Sequence, residues 1–331
     1  MQTKVLVTGA GGFIGHHLVR YLKAKGYFVR GVDLKHCPYS EIEADEFEIL
    51  DLRRWDACLQ ATRGVEEVYA LAADMGGMGF ISAHHAEILH NNALINLHTL
   101  EAARINGVRR YLYTSSACVY PDYRQTEADV VPLKEEDVYP AMPQDAYGWE
   151  KLVSEQLCVH YGKDYGIDTR VVRFHNIFGP EGTWAGGREK APAALCRKVA
   201  EAKLSGNAEI DIWGDGEQTR SFCYISDCVE GIFRLMRSDH RDPINLGQDR
   251  LISINALADM IAAIAGVPIR KKHVEGPQGV RGRNSDNSRL RGVLGWEPSV
   301  SLEQGLERTY PWIEEQVRAS VHPAAALVSR E

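Results

Sequence analysis

Short apolar runs and longer stretches with a three-to-four-residue period alternate through the first half of the chain. Runs too short for a helix and rich in Val, Leu, Ile, Phe and Tyr predict strands over 4–8, 28–33, 47–50, 67–71, 110–114 and 169–174. Helical periodicity fills the gaps near 13–25, 54–62, 87–106 and 145–166. In the last of these Val153, Leu157 and Tyr161 recur every four residues, which predicts one apolar stripe. Strands alternating with helices in this way require crossover connections, hence a parallel sheet wrapped on both faces.

After Asn176 the texture changes to loops containing Gly, Pro and Arg between shorter elements, as expected of a smaller lobe that builds a site. A helix over 227–236 and a strand over 243–247 still have the character of the first half and are expected to return to its sheet. The predicted division is therefore 1–176 plus about 222–248 for the larger domain and about 177–221 plus 249–319 for the smaller lobe. Residues 320–331, rich in Ala, Val and Ser, are expected to form a loose tail, and no internal repeat is visible.

Composition narrows the class. The 331 residues are 44% apolar and 25% charged, the balance of a globular protein and not of a disordered or collagen-like chain. No apolar run approaches the roughly 20 residues that span a bilayer, so no membrane role is expected. A net charge of −7 argues against nucleic acid as a partner and leaves any anionic ligand to local basic clusters. The seven cysteines are odd in number and form no CxxC pair, which predicts neither a metal site nor a disulfide framework. With a first strand opening at Lys4, we expect no leader and a cytoplasmic protein.

The sharpest local motif is Thr8-Gly-Ala-Gly-Gly-Phe-Ile-Gly15, lying between a predicted strand and a predicted helix. Gly9 permits the tight turn, Gly12 lets backbone approach a pyrophosphate at the helix start, and Gly15 lets helix pack on strand. Phe13 and Ile14 supply the first helical amides. The expectation is a Rossmann-type, doubly wound α/β sheet with a smaller α/β substrate-binding lobe. Asp33, at the end of the second strand, is placed for the adenosine ribose hydroxyls and favours NAD over NADP, with Asp51 and Leu52 near the adenine edge. Tyr147 and Lys151 share a helix face, where the ammonium is expected to lower the phenol's pKa and to hold the nicotinamide ribose. Ser115 and Ser116, ending the fifth strand, are expected beside the Tyr hydroxyl, where they can bind a substrate alcohol.

This first lobe resembles the extended short-chain dehydrogenase/reductases, which act largely on nucleotide sugars. Ala73–Phe80, Ser115–Pro121, Gln144–Gly148, Arg173–Ile177, Gly182–Pro192, Trp213–Phe222 and Gly279–Asp286 sharpen the resemblance to the GDP-mannose 3,5-epimerase family within them. That resemblance implies NAD, tightly bound and recycled, GDP-mannose as substrate, and inversion at C3 and C5 through a transient 4-keto sugar. Cys118 and Lys190 then match the two acid/base residues, with Tyr147 and Ser116 at the C4 hydroxyl. The chemistry is coherent, because a ketone at C4 acidifies both neighbouring carbons and one group on each face can invert them.

By the same resemblance Gly76, Asn176, Lys198, Gln218, Arg281 and Tyr310 contact substrate, with Arg281, Arg283 and Lys198 as the cations a diphosphate needs. Glycines 76, 77 and 79 are expected to let backbone approach the sugar. The helices near 87–106 and 145–166 are expected to pair in a homodimer, as in related dehydrogenases. Three alternatives stand beside this reading: a nucleotide-sugar 4,6-dehydratase, a 4-keto reductase and a non-catalytic dinucleotide-binding protein. The dehydratase is expected to carry an acidic pair after Ser116, where this chain has Ala117 and Cys118.

Overall fold

The structure is a computed structural model and describes residues 2–321. β1 (Lys4–Thr8), β2 (Phe28–Asp33), β3 (Glu46–Ile49), β4 (Glu67–Ala70), β5 (Arg110–Ser116) and β6 (Asp168–Phe174) alternate with α1 (Phe13–Ala24), α2 (Trp55–Thr62), a single turn α3 (Met78–Ile81), α4 (His85–Ile105) and α5 (Ala146–Tyr165). Then follow β7 (Ile177–Phe178), α6 (Ala191–Ser205), β8 (Glu209–Trp213), β9 (Thr219–Arg220), β10 (Cys223–Tyr224), α7 (Ile225–Arg237) and β11 (Ile244–Leu246). The chain ends with β12 (Ile252–Ser253), α8 (Ile254–Ala265), β13 (Arg270–Val274), β14 (Gly282–Arg283), α9 (Ser288–Leu294) and α10 (Leu302–Val321). Ser320 and Val321, expected in the tail, complete α10; the rest of that stretch lies outside the described residues.

The main sheet has seven strands in the order β11-β6-β5-β4-β1-β2-β3, all parallel. β11 does return to this sheet, pairing with β6. The strand order reverses between β1 and β4, the place where a doubly wound sheet opens a crevice at its C-terminal edge. Two bonds clamp that edge, since Thr8 Oγ1 accepts the amides of Leu71 and Ala72, both at 3.0 Å. β5 runs two residues past the predicted end because Ser115 and Ser116 still pair with Arg173 and Phe174.

One face of the sheet packs on α2, α4 and α5 through Leu6, Val32, Val68, Leu100 and Val171. The other face belongs to a larger core in which Val5, Val7 and Leu18 share one cluster with Leu195, Leu257, Ile261, Leu306 and Ile313. α5 turns a largely polar face inward: Glu150, Lys151, Ser154 and Glu155 are buried, while Val153 of the predicted stripe is 58% exposed. Asn96 explains how that face is satisfied, donating to Glu150 and Ser154 across the α4 and α5 interface at 3.1 and 3.0 Å. No helix among the described residues is long and apolar enough to cross a membrane.

Candidate active site

The glycine turn after β1 has the geometry its sequence predicts. Gly9 sits at φ +71° against the backbone of Ala72, and a Cβ on Gly15 would overlap the Gly9 carbonyl oxygen. Gly12 is the N-cap of α1 and brings no side-chain cap, so the helix presents its first amides, those of Phe13 and Ile14 among them, to the cavity. Asp33 Oδ2 accepts the Gly11 amide at 2.9 Å and Oδ1 the Leu34 amide at 2.6 Å. Burial raises its pKa, and those amides work against the rise. Asp51 and Leu52 also line the cavity, with the Asp51 carboxylate held by Arg53, Nη2 to Oδ2 being 2.7 Å.

At the end of β5 the two serines part company. Ser116 accepts the Cys118 amide at 3.2 Å and lies beside the Tyr147 phenol. Ser115 faces the other way and donates to Glu155 at 2.5 Å, in a buried cluster where Glu155 also pairs with Arg173. Alternation along a strand is the reason: neighbours point to opposite faces, so only one serine hydroxyl reaches the tyrosine. This corrects the expectation that both would.

Asp145 caps α5 by accepting the Gly148 amide at 2.8 Å, which fixes the helix start at Ala146, one residue before Tyr147. Lys151 Nζ donates to the Thr114 carbonyl at 3.1 Å and lies 5.5 Å from the Tyr147 ring centroid. The expected lowering of the phenol's pKa does not occur. Burial pushes it well above the ordinary value, and the nearby Glu150 carboxylate pushes the same way. Burial also lowers the pKa of Lys151, whose ammonium stands 3.9 Å from Glu150.

Cys118 and Lys190 reach the same cavity from separate elements, the 3₁₀ turn Ala117–Val119 and the N-cap of α6. Arg283 Nη1 is 3.3 Å from Cys118 Sγ, and burial lowers the pKa of Lys190. Gly76 lines the cavity too, but the glycine loop does a second job, docking on the segment that carries Lys190 through the Gly77 amide. Asn176 lines it with φ +44° and donates from Nδ2 to the Ser221 carbonyl at 2.9 Å. Lys198 and Gln218 line the far end; Lys198 donates to the Asp211 carbonyl and Gln218 to that of Trp213.

Two expected substrate residues are elsewhere. Arg281 pairs with Asp215 at 2.8 Å and is not among the residues lining the cavity. Tyr310 is buried within the apolar core that α10 shares with α6 and α8. The expected Arg283 and Lys198 do line the cavity, and Arg220 joins them, brought beside Arg283 by pairing of β9 with β14. Arg220 donates to the carbonyls of Thr219, Gln278 and Val280. Burial, with Arg283 nearby, lowers its pKa to about 9. Arg220 went unassigned in the sequence, although it sits in the quoted Trp213–Phe222 stretch.

Sequence reading also passed over His16, His17 and Glu181, the one grouping of potential metal donors among the described residues. Arg20 already holds a Glu181 oxygen at 2.5 Å and His16 Nε2 lies 2.8 Å from it, so the group is a clasp between α1 and the turn after β7.

The glycine turn, Asp33, Ser116, Tyr147, Lys151, Cys118, Lys190, Arg220 and Arg283 all line one continuous cavity of about 840 Å³. A crevice at the strand-order reversal, a glycine turn under a helix N-terminus and a Tyr-Lys pair beside a second, cationic compartment define a dinucleotide-dependent enzyme whose substrate lies next to its cofactor. The chain belongs to the NAD dependent epimerase/dehydratase family, whose model matches residues 5–247. It is 51% identical over 316 residues to the GDP-mannose 3,5-epimerase of Arabidopsis thaliana, covering 95% of this chain and 83% of that protein. Identity to GDP-mannose 3,5-epimerase 1 of Oryza sativa subsp. japonica is 52% over 318 residues, covering 96% and 83%. Among solved structures the chain is similar to the UDP-glucose 4-epimerase of Thermotoga maritima with UDP-glucose, at a TM-score of 0.84 and 26% identity, covering 95% of this chain and 100% of that one.

Proposed function

We propose that the protein converts GDP-α-D-mannose to GDP-β-L-galactose by inversion at C3 and C5, with GDP-L-gulose formed by inversion at C5 alone. The observation that carries this reading is the meeting of Cys118 and Lys190 in the cavity that holds Tyr147 and Lys151. Two proton-transfer groups on separate elements are what a double inversion needs; a simple reductase does not need both, and the acidic pair expected of a 4,6-dehydratase after Ser116 is replaced here by Ala117 and Cys118.

Tyr147 Oη takes the proton of the C4 hydroxyl, with Ser116 orienting that hydroxyl. NAD, when bound, supplies the hydride acceptor at C4, a positive ring charge that favours the phenolate, and finally the returned hydride. Lys151 holds the nicotinamide ribose and the phenol edge of the site. With C4 a ketone, Cys118 Sγ and Lys190 Nζ remove and return protons at C5 and C3, one from each side of the ring. Arg283 steadies the Cys118 sulfur, and Arg220 with Lys198 meets the diphosphate.

The cofactor stays bound, because a redox cycle that closes on itself stalls if its reduced carrier leaves. The larger domain, 1–176 plus about 222–248, holds NAD, and the remainder of the chain up to 319 holds the nucleotide sugar. The protein is a cytoplasmic homodimer in this reading. Free cysteines support the reducing compartment, and Leu89, Leu97, Trp149 and Val153, exposed on α4 and α5, support the dimer face. The deciding experiment incubates the purified protein with GDP-mannose and no added dinucleotide, then identifies the sugars released. Galactose and gulose are expected; a 4-keto-6-deoxy product, or turnover only with added reductant, would reject the assignment.

A further inference from the structure

Lys190 stands on a segment that its own sequence does little to hold. Gly186 and Gly187 have φ of +92° and +85°, and the N-cap of α6 has no side-chain hydrogen bond. Restraint comes from other parts of the chain. The Gly77 amide donates to the Arg188 carbonyl at 3.0 Å, and a Cβ on Gly77 would overlap the Glu189 carbonyl, so only glycine admits this approach. The Arg188 guanidinium lies 3.7 Å from the centroid of the Phe80 ring and donates to Asp74 Oδ1 at 2.9 Å. On the other side Glu189 pairs with Arg197 of α6 at 3.0 Å.

Asp74 is in turn anchored to the helices below. Asn91 donates to its Oδ2 at 3.0 Å, and Asn92 accepts its amide at 2.6 Å and donates to its carbonyl at 3.0 Å. The buried Asn92 also donates to Glu150 at 2.9 Å. Polar contacts thus run without a break from the helix bearing Tyr147 and Lys151, through Glu150, Asn92 and Asp74, to Arg188, two residues before Lys190.

We propose that Asp74 and Arg188 are positioning residues that set Lys190 against the sugar ring and thereby govern whether one or both centres invert. The proposal rests on the reading of Lys190 as one of the two proton-transfer groups. The Arg188 side chain is 48% exposed, and an exposed ion pair does little for stability. A displacement of about 1 Å at a reacting group, by contrast, costs about 10²-fold in rate. The effect of breaking the pair therefore falls on the proton transfers that Lys190 makes and not on the folded fraction.

The test places the parent protein, Lys190→Ala, Arg188→Ala, Arg188→Lys and the exchanged pair Asp74→Arg with Arg188→Asp in deuterated water with GDP-mannose. Deuterium at C3 and C5 is followed by nuclear magnetic resonance, alongside the product ratio and the reduction of bound dinucleotide. Lys190→Ala defines the pattern of loss across C3 and C5 that follows from removing one face's proton-transfer group. Arg188→Ala is expected to reproduce that pattern in milder form, slowing inversion by about 10- to 100-fold, and to leave the reduction rate unchanged. Products shift toward single inversion, and Arg188→Lys and the exchanged pair recover part of the loss. No slowing, a pattern across the two carbons unlike that of Lys190→Ala, or an equal loss of dinucleotide reduction would overturn the positioning role. Undiminished exchange at both carbons in Lys190→Ala would instead overturn the functional reading, and this proposal with it.

Discussion

Replacing Tyr147 by Phe separates the first chemical step from everything that follows. The ring remains, packed with Phe80, Ile81 and Ile88, so the substitution removes one oxygen and little else. A single hydrogen-bonding hydroxyl contributes about 1 kcal/mol to stability, against about 5–15 kcal/mol for a whole domain, so the folded fraction hardly changes. The chemical loss is larger. A positioned proton acceptor contributes about 10²–10⁴-fold, which is about 3–5 kcal/mol at 1.36 kcal/mol per decade. Tyr147 is 6% exposed, so bulk water has no access as a substitute base, and the loss should fall at the upper end, about 10⁴-fold. The assay mixes stoichiometric protein with GDP-mannose and follows the near-ultraviolet absorbance of reduced nicotinamide. Reduction at the parent rate in Tyr147→Phe, with product still formed, would show that another group takes the C4 proton and that the assignment of Tyr147 is wrong.

Cys118→Ala and Lys190→Ala should still reduce bound dinucleotide but lose about 10²–10⁴-fold in inversion, with solvent deuterium entering at C3 and C5 and never at C4 in the parent; deuterium at C4 would contradict the closed redox cycle. Gly15→Ala should cost about 1–3 kcal/mol in thermal unfolding and release the dinucleotide, since its new methyl meets the Gly9 backbone; retention of both properties would refute the account of the turn. Burial holds the folded-state pKa of Lys190 below its unfolded value, so the unfolded chain binds more protons between the two and stability rises with pH there. Lys190→Met should therefore melt above the parent at neutral pH, with the gain shrinking as pH approaches the ordinary lysine range, and a constant or growing gain would speak against it. Val153→Asp should halve the mass measured by light scattering; an unchanged mass would remove α5 from the dimer face.

The parallel sheet was readable because its signals are local. Each strand of the first half, and each helix there except the single turn α3, announces itself within about 20 residues, and Gly9, Gly12 and Gly15 answer to backbone geometry within a single turn. Ser115 was misread although strand alternation separates it from Ser116. Tyr310 likewise shares a four-residue spacing with Leu302 and Leu306, a core signature that outweighs its place in any motif. Arg281 and Arg283 could not be separated on paper, because the pairing of Gly282 with Thr219 and Arg283 with Arg220 decides which guanidinium enters the cavity. The inward face of α5 was hidden for the opposite reason: it is polar, so hydrophobic periodicity pointed to Val153 and away from Glu150.

The bond between Arg283 and Cys118 joins residues 165 positions apart. The core beneath it likewise combines Val5 and Val7 with Leu306 and Ile313. A nascent chain therefore exposes its dinucleotide turn and its Tyr-Lys pair long before the segment that completes the reaction centre leaves the ribosome. One face of the amino-terminal sheet stays uncovered until the carboxy-terminal helices have been made, and the Arg283 guanidinium reaches Cys118 only then.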